Sequence, residues 1–232
     1  MIGPLLGGLG ALAASAISTI GTAISTVGAA VVTGAKALIP ALKTAKVVID
    51  VVCKVCSIVS EIAHKLGLVE QDEKIEEIGA KTLQEDTRGR LDGESASEYM
   101  EYLRNEVELD REKFEKMKDE DKTACSALGT RLVADSIEEK LRFELPSKSL
   151  LAAGFANANS QELKSIIDNF KKNNINSLDK FDKYLSSELN LSENIKINKI
   201  IVDSIKESNE NLSNEDSVQK VLDMKKDYQS QN

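Results

Sequence analysis

Few residues in this chain are able to do chemistry. Its 232 residues include one histidine, three cysteines and no tryptophan. Cys53-Lys54-Val55-Cys56 is a C-x-x-C. Thiols so spaced hold metals or exchange disulfides when a second pair, or a strand running into a helix start, accompanies them. Neither is present. The pair lies inside an apolar run, where a spacing of three predicts both thiols on the apolar side of a helix, as buried structural cysteines. Cys125 and His64 complete a Cys3His set only by tertiary coincidence. His64 is the sole candidate imidazole base, and no nucleophile stands beside it. Gly8-x-Gly10-x-x-Ala13 has the form of a dinucleotide fingerprint but lacks the preceding strand and the βαβ unit. Gly28 to Lys36 has the wrong spacing for a phosphate-binding loop. With 38 acids, close carboxylate pairs such as Asp119-Glu120-Asp121 are inevitable, and no EF-hand spacing occurs. The expectation is a non-enzyme with no catalytic, cofactor-binding or metal-ligating residues.

The elements that would position any site divide sharply by composition. The formal net charge is −8. Residues 1–67 nevertheless sum to +3, from five lysines against Asp50 and Glu61, so the remaining 165 carry −11. No charged side chain precedes Lys36, seven of the 13 glycines lie in the first 34 residues, and the first aromatic is Tyr99. An acidic balance opposes nucleic-acid binding. Three expected regions follow: an apolar Gly/Ala-rich helical hairpin over 1–67, an acidic helical region over 68–158, and a small helical bundle over 159–232 with a frayed end.

The apolar end contains a seven-residue repeat. Ala16-Ile17-Ser18-Thr19-Ile20-Gly21-Thr22 is followed by Ala23-Ile24-Ser25-Thr26-Val27-Gly28-Ala29. Ile17, Ile20, Ile24, Val27 and Val31 recur at spacings of three and four, one stripe of a helix. Beside it runs a stripe of small residues, Ala14, Ser18, Gly21, Ser25 and Gly28, which lets two helix backbones approach closely. Glycine costs about 1 kcal/mol relative to alanine in a helix, so this segment needs a partner helix, a membrane or both. Glycines and Pro4 in residues 3–10 suggest an irregular lead, leaving 11–38 as helix, and Pro40 marks a boundary. The second arm, 41–66, is apolar apart from a narrow stripe that includes Lys43, Lys46, Asp50, Lys54 and Glu61, together with Ser57 and Lys65, and a few scattered polar residues. Such a helix sits in a bundle with little exposure, or in a membrane with its charges toward a partner, a pore or the interface.

The acidic end is patterned for short helices. Lys74 to Glu85 presents Ile75, Ile78 and Leu83, and Ser95-x-x-Glu98 is a capping box for a helix carrying Tyr99, Leu103 and Val107 inward. A helix over 121–142 aligns Cys125, Leu128, Leu132 and Leu141, and Pro146 ends it. Residues 148–158 are apolar enough to plug a core or make a short helix. Asn159-x-x-Glu162, Asn190-x-x-Glu193 and Ser213-x-x-Asp216 are start signals. Four amphipathic runs follow 159: Leu163/Ile166/Ile167/Phe170, Phe181/Leu185/Leu189, Ile197/Ile200/Ile201/Ile205 and Val218/Val221/Leu222. No strand is expected. The fold class is all-α.

This layout points to a non-enzymatic protein whose hairpin associates with or enters a membrane, in the manner of a pore-forming, translocated or membrane-perturbing component. Its acidic part would bind a protein partner or mask the hairpin. The expected partners are membrane lipid, the chain itself through the hairpin, and a protein, with no nucleic acid. Membrane association is favoured, without a signal peptide, because Met1-Ile2-Gly3-Pro4 has no basic lead. Two features oppose insertion: the missing aromatic belt, and mid-segment charges that each cost about 2.5–3.5 kcal/mol at a bilayer centre. The alternative is a soluble structural or adaptor component of a tail-like or secretion assembly, packing through the heptads.

Overall fold

The computed structural model describes residues 46–84, 90–91 and 93–230. Among these residues every regular element is a helix, and the one strand-like feature is an isolated bridge between Glu144 and Ser177. The all-α expectation therefore holds over the described residues. The first arm of the expected hairpin, 11–38, lies outside them. The described chain divides into two compact units, 46–141 and 142–230.

The N-terminal unit contains α1 (Lys46–Lys65), α2 (Ile75–Gln84), α3 (Ala96–Glu106), α4 (Arg111–Glu115) and α5 (Asp119–Leu141). α5 is the hub, packing against α1, α2 and α3. α1 buries Val51, Val52, Val55, Ile58, Val59, Ile62 and Ala63, and α5 is its main neighbour among the described helices. The division of the sequence at residue 67 thus falls at Gly67, where α1 ends, and α1 shares a core with residues of the acidic region. Gly67 has φ +67, and the amide of Leu68 reaches the Ala63 carbonyl at 2.9 Å, the closing bond of a Schellman end.

α5 differs from its reading as a helix with one apolar face. Residues 123–130 are all buried, including Thr123, Ser126 and Thr130, with Ser136 buried one turn further on. Each hydroxyl donates to the carbonyl four residues back: Thr123 to Asp119 (2.8 Å), Ser126 to Lys122 (3.1 Å), Thr130 to Ser126 (2.6 Å) and Ser136 to Leu132 (3.3 Å). Small hydroxyl residues satisfied within their own helix are compatible with burial on every side.

The crossing of α2 on α5 is backbone against backbone. A Cβ on Gly79 would lie 1.9 Å from the Cys125 carbonyl oxygen, and one on Gly129 would lie 2.0 Å from that of Ile75. Only glycine fits either position. α3 starts with the expected capping box, Ser95 accepting from the Glu98 amide at 3.1 Å and Glu98 from the Ser95 amide at 2.7 Å. It buries Tyr99, Met100 and Leu103, and ends before Val107, which is half-buried in extended backbone.

The C-terminal unit contains α6 (Ser147–Phe155), α7 (Ser160–Lys172), α8 (Asp179–Leu185), α9 (Leu191–Ser208) and α10 (Asn214–Ser230). Asn159, Asn190 and Ser213 cap α7, α9 and α10 as their sequence signals predict. α9 packs on α7 and α10, and α8 lies against α6, α9 and α10. α6 is buried from Ser149 to Phe155 and lies against α8 and α10. The structure corrects one register. α10 buries Ser217, Val221, Met224 and Tyr228, while Val218 and Leu222 are 44% and 52% exposed. The stripe that carries Tyr228 inward wins because an aromatic ring buries more area than either alternative.

Candidate functional site

The residues singled out for chemistry do not converge. Cys53 is exposed on α1, which corrects the expectation that both thiols of the C-x-x-C lie on the apolar side. Cys56 is half-buried and Cys125 is buried on α5. Burial raises all three thiols above their ordinary value, helped at Cys53 by Asp50 and at Cys56 by Glu76, with the Thr130 hydroxyl opposing at Cys56. Cys125 is pushed to about 11, with Asp121 adding to the burial. A thiol held protonated is a poor nucleophile and a poor metal ligand. His64 spends Nδ1 on the Val69 carbonyl, 3.1 Å away across the α1–α2 turn. The ring nitrogen must donate in that bond, so the imidazole acts there as a clip on the loop. Among the described residues no group of three or more His, Cys, Asp or Glu could hold a metal ion.

The stripe on the second arm is partly visible. Asp50, Lys54 and Glu61 are exposed along α1, opposite its buried valines and isoleucines. Lys43 and the side chain of Lys46 lie outside the described residues, as do all ten seam residues from Ala14 to Val31. Among the described residues no helix is long and apolar enough to cross a membrane.

Two clusters of buried charge were not legible in the sequence. In the N-terminal unit Arg131 is 10% exposed and bonds Asp135 and, at 2.8 Å, Glu138. Arg90 reaches Asp135 at 3.6 Å and Glu139 at 3.1 Å, and donates through Nε to the Glu94 carbonyl at 2.9 Å. Glu139 also accepts from the Ala96 amide at 2.8 Å. This network fastens the start of α3 to α5. Burial pushes the Asp135 carboxyl up, with Arg131 opposing.

In the C-terminal unit Asp182 is 1% exposed. It accepts from Tyr228 Oη at 3.2 Å and pairs with Lys148 Nζ at 3.0 Å. Burial, with Asp182 beside it, pushes the Tyr228 phenol far above its ordinary value. The three residues come from α6, α8 and α10 and are separated by 34 to 80 positions, so no local pattern announces them. Asp182 spends one carboxylate oxygen on each partner, and the bond from Tyr228 makes the cluster a fastening for α10.

The outer side of α9 and α10 is different in kind. Leu191 is 78% exposed and Ile195 63%, and Val218 and Leu222 add two more large apolar groups on the second helix. Tyr184 of α8 donates to Asn198 Oδ1 of α9 at 2.6 Å, and Lys225 of α10 sits 4.9 Å from the centre of the same ring. Lys206 of α9 donates to Asn214 Oδ1 of α10 at 2.6 Å. The sequence signal for this surface is the misplaced register of α10, whose apolar residues outnumber those the core can take.

No protein-family model matches this chain, and comparison with curated proteins and with solved structures finds no significant match.

Proposed function

We propose that the chain is a non-enzymatic helical protein that associates with or inserts into membranes through the apolar segment that precedes α1. Its folded acidic units bind a protein partner or mask the apolar segment. The observation that carries the reading is the uncharged run of 35 residues at the start, with its two heptad-spaced stripes. At about 1.5 Å per residue a helix over 11–38 would exceed the roughly 30 Å hydrocarbon thickness. Lipid contact belongs to that segment. The second arm is committed elsewhere from residue 46 onward, because α1 buries its apolar face in a shared core with α5.

Flotation on liposomes tests the proposal with the full chain and with residues 46–232, a truncation that leaves α1 in its core. The full chain should float and the truncated protein should stay at the bottom of the gradient. Gly21→Leu with Gly28→Leu in the full chain should weaken oligomerisation on the membrane by closing the small-residue seam. If the full chain stays down and instead forms large concentration-dependent assemblies, the structural or adaptor role replaces this one.

A further inference from the structure

We propose that Met117 is an oxidation site for hydroperoxides, and that its sulfoxide lifts the strap 107–118 off the N-terminal unit and uncovers the Cys125 thiol. This goes beyond the membrane reading and needs neither lipid nor a partner.

The strap joins α3 to α5 and contains α4. Its apolar residues are Val107, Leu109, Phe114 and Met117, and every other residue in it is charged. Leu109 and Phe114 are buried in a cluster with Ala80 of α2 and Cys125 of α5, and Met117 packs against that cluster from a half-buried position. Cys125 Sγ donates to Met117 Sδ at 4.0 Å. Burial holds that thiol protonated, so it stays a donor. The polar ties of the strap to α2 and α5 lie at the surface. The Asp110 amide donates to Gln84 Oε1 at 3.1 Å, Arg111 reaches Glu77 at 3.5 Å, and Lys122 Nζ reaches the Glu115 carbonyl at 3.4 Å. Exposed ties of this kind contribute little. α4 has five residues, too few to be stable by itself. The strap is therefore held by its apolar anchors, of which Met117 is the last before α5.

Access selects this sulfur. Among the described residues Met100 and Met224 are 1% exposed, whereas Met117 is half-buried. A thioether has no proton to lose, so access rather than ionisation decides which one reacts. The sulfur attacks the hydroxyl oxygen of the peroxide. An S–O bond forms, the O–O bond breaks, and the proton moves to the departing oxygen. Sulfur loses two electrons, and the peroxide is reduced to water or an alcohol. The product sets a polar oxygen against an apolar cluster. The donor that faces it is a thiol, which is weak. Water offers better partners, and the strap is the element that yields, since α2 and α5 are locked together at Gly79 and Gly129. Reduction of the sulfoxide restores the anchor, so the latch is reversible.

The test uses the full chain carrying Cys53→Ser and Cys56→Ser, treated with dilute hydrogen peroxide. Peptide mapping should show sulfoxide at Met117 well before Met100 and Met224. Iodoacetamide should then alkylate Cys125 about tenfold faster or more than in untreated protein, as local opening of the strap allows. Methionine sulfoxide reductases acting on both epimers should restore protection. Met117→Leu keeps an apolar anchor of similar volume and should abolish the peroxide effect without changing the untreated rate. Met117→Gln should speed alkylation with no peroxide added. Hydrogen exchange should quicken in 107–118 while α1 and α3 stay protected. Equal oxidation of Met100 or Met224, an oxidised Met117 with Cys125 still shielded, or a peroxide effect that survives Met117→Leu overturns the proposal. So does loss of protection in α1 and α3 together with the strap, which would be unfolding of the whole unit.

Discussion

Single residues in this protein are best understood by what surrounds them. Cys53 and Cys56 are three positions apart on one helix, yet one faces out and the other is half covered, while Cys125 is fully enclosed. Alkylation by iodoacetamide should therefore mark Cys53 first and Cys56 more slowly. Cys125 should react only on unfolding, as peptide mapping by mass spectrometry will show. Tyr228 makes a second case. The folded state holds its phenolic proton more tightly than the unfolded chain does. The resulting stabilisation is complete below the ordinary tyrosine value of about 10 and is lost as pH rises above it. Tyr228→Phe should cost about 1 kcal/mol at neutral pH through loss of the bond to Asp182. Its stability should also fall less steeply than the native protein's on titration to alkaline pH, followed by thermal melts.

At the scale of elements, the decisive contact is the crossing of α2 on α5. Gly79 and Gly129 bring carbonyl oxygens to within about 2 Å of where a side chain would begin. Neither obstacle is the end of a flexible side chain, so the helices must separate to admit a methyl group. Gly79→Ala should destabilise the N-terminal unit by about 3 kcal/mol, the upper part of the range for overpacking. Hydrogen exchange should show the loss in α1, α2, α3 and α5 and leave α6 to α10 unchanged. The sequence showed the same device, small residues at helical spacing, between Ala14 and Gly28. At Gly79 and Gly129 it was not legible, because each glycine is isolated on its own helix and only their meeting gives them a purpose. Helix starts were the most legible features. Ser95, Asn159, Asn190 and Ser213 each announce a helix because a cap is a bond between residues three apart.

For the whole molecule, the contrast is between an uncharged opening and two folded helical units that are both rich in satisfied polar groups. Residues 46–232 should retain their helicity and both cores without the opening segment, since α1 already has its partner in α5. Loss of flotation in that truncated protein then reports on the segment removed and on nothing else. A truncation starting after Gly67 would delete α1, with the seven apolar side chains it buries, and uncover the face of α5 on which it packs.

By itself the sequence determined that the described chain is helical, where most helices begin, and that the charge is partitioned between its two ends. These follow from spacing and local hydrogen bonding, which act over three or four residues. Tertiary structure alone decided that residues 123–130 of α5 are buried on all sides, that Tyr228 and Asp182 meet, and that α10 turns Val218 and Leu222 outward. Those outcomes depend on residues tens of positions apart competing for the same enclosed space, and no local period encodes which of them gains it.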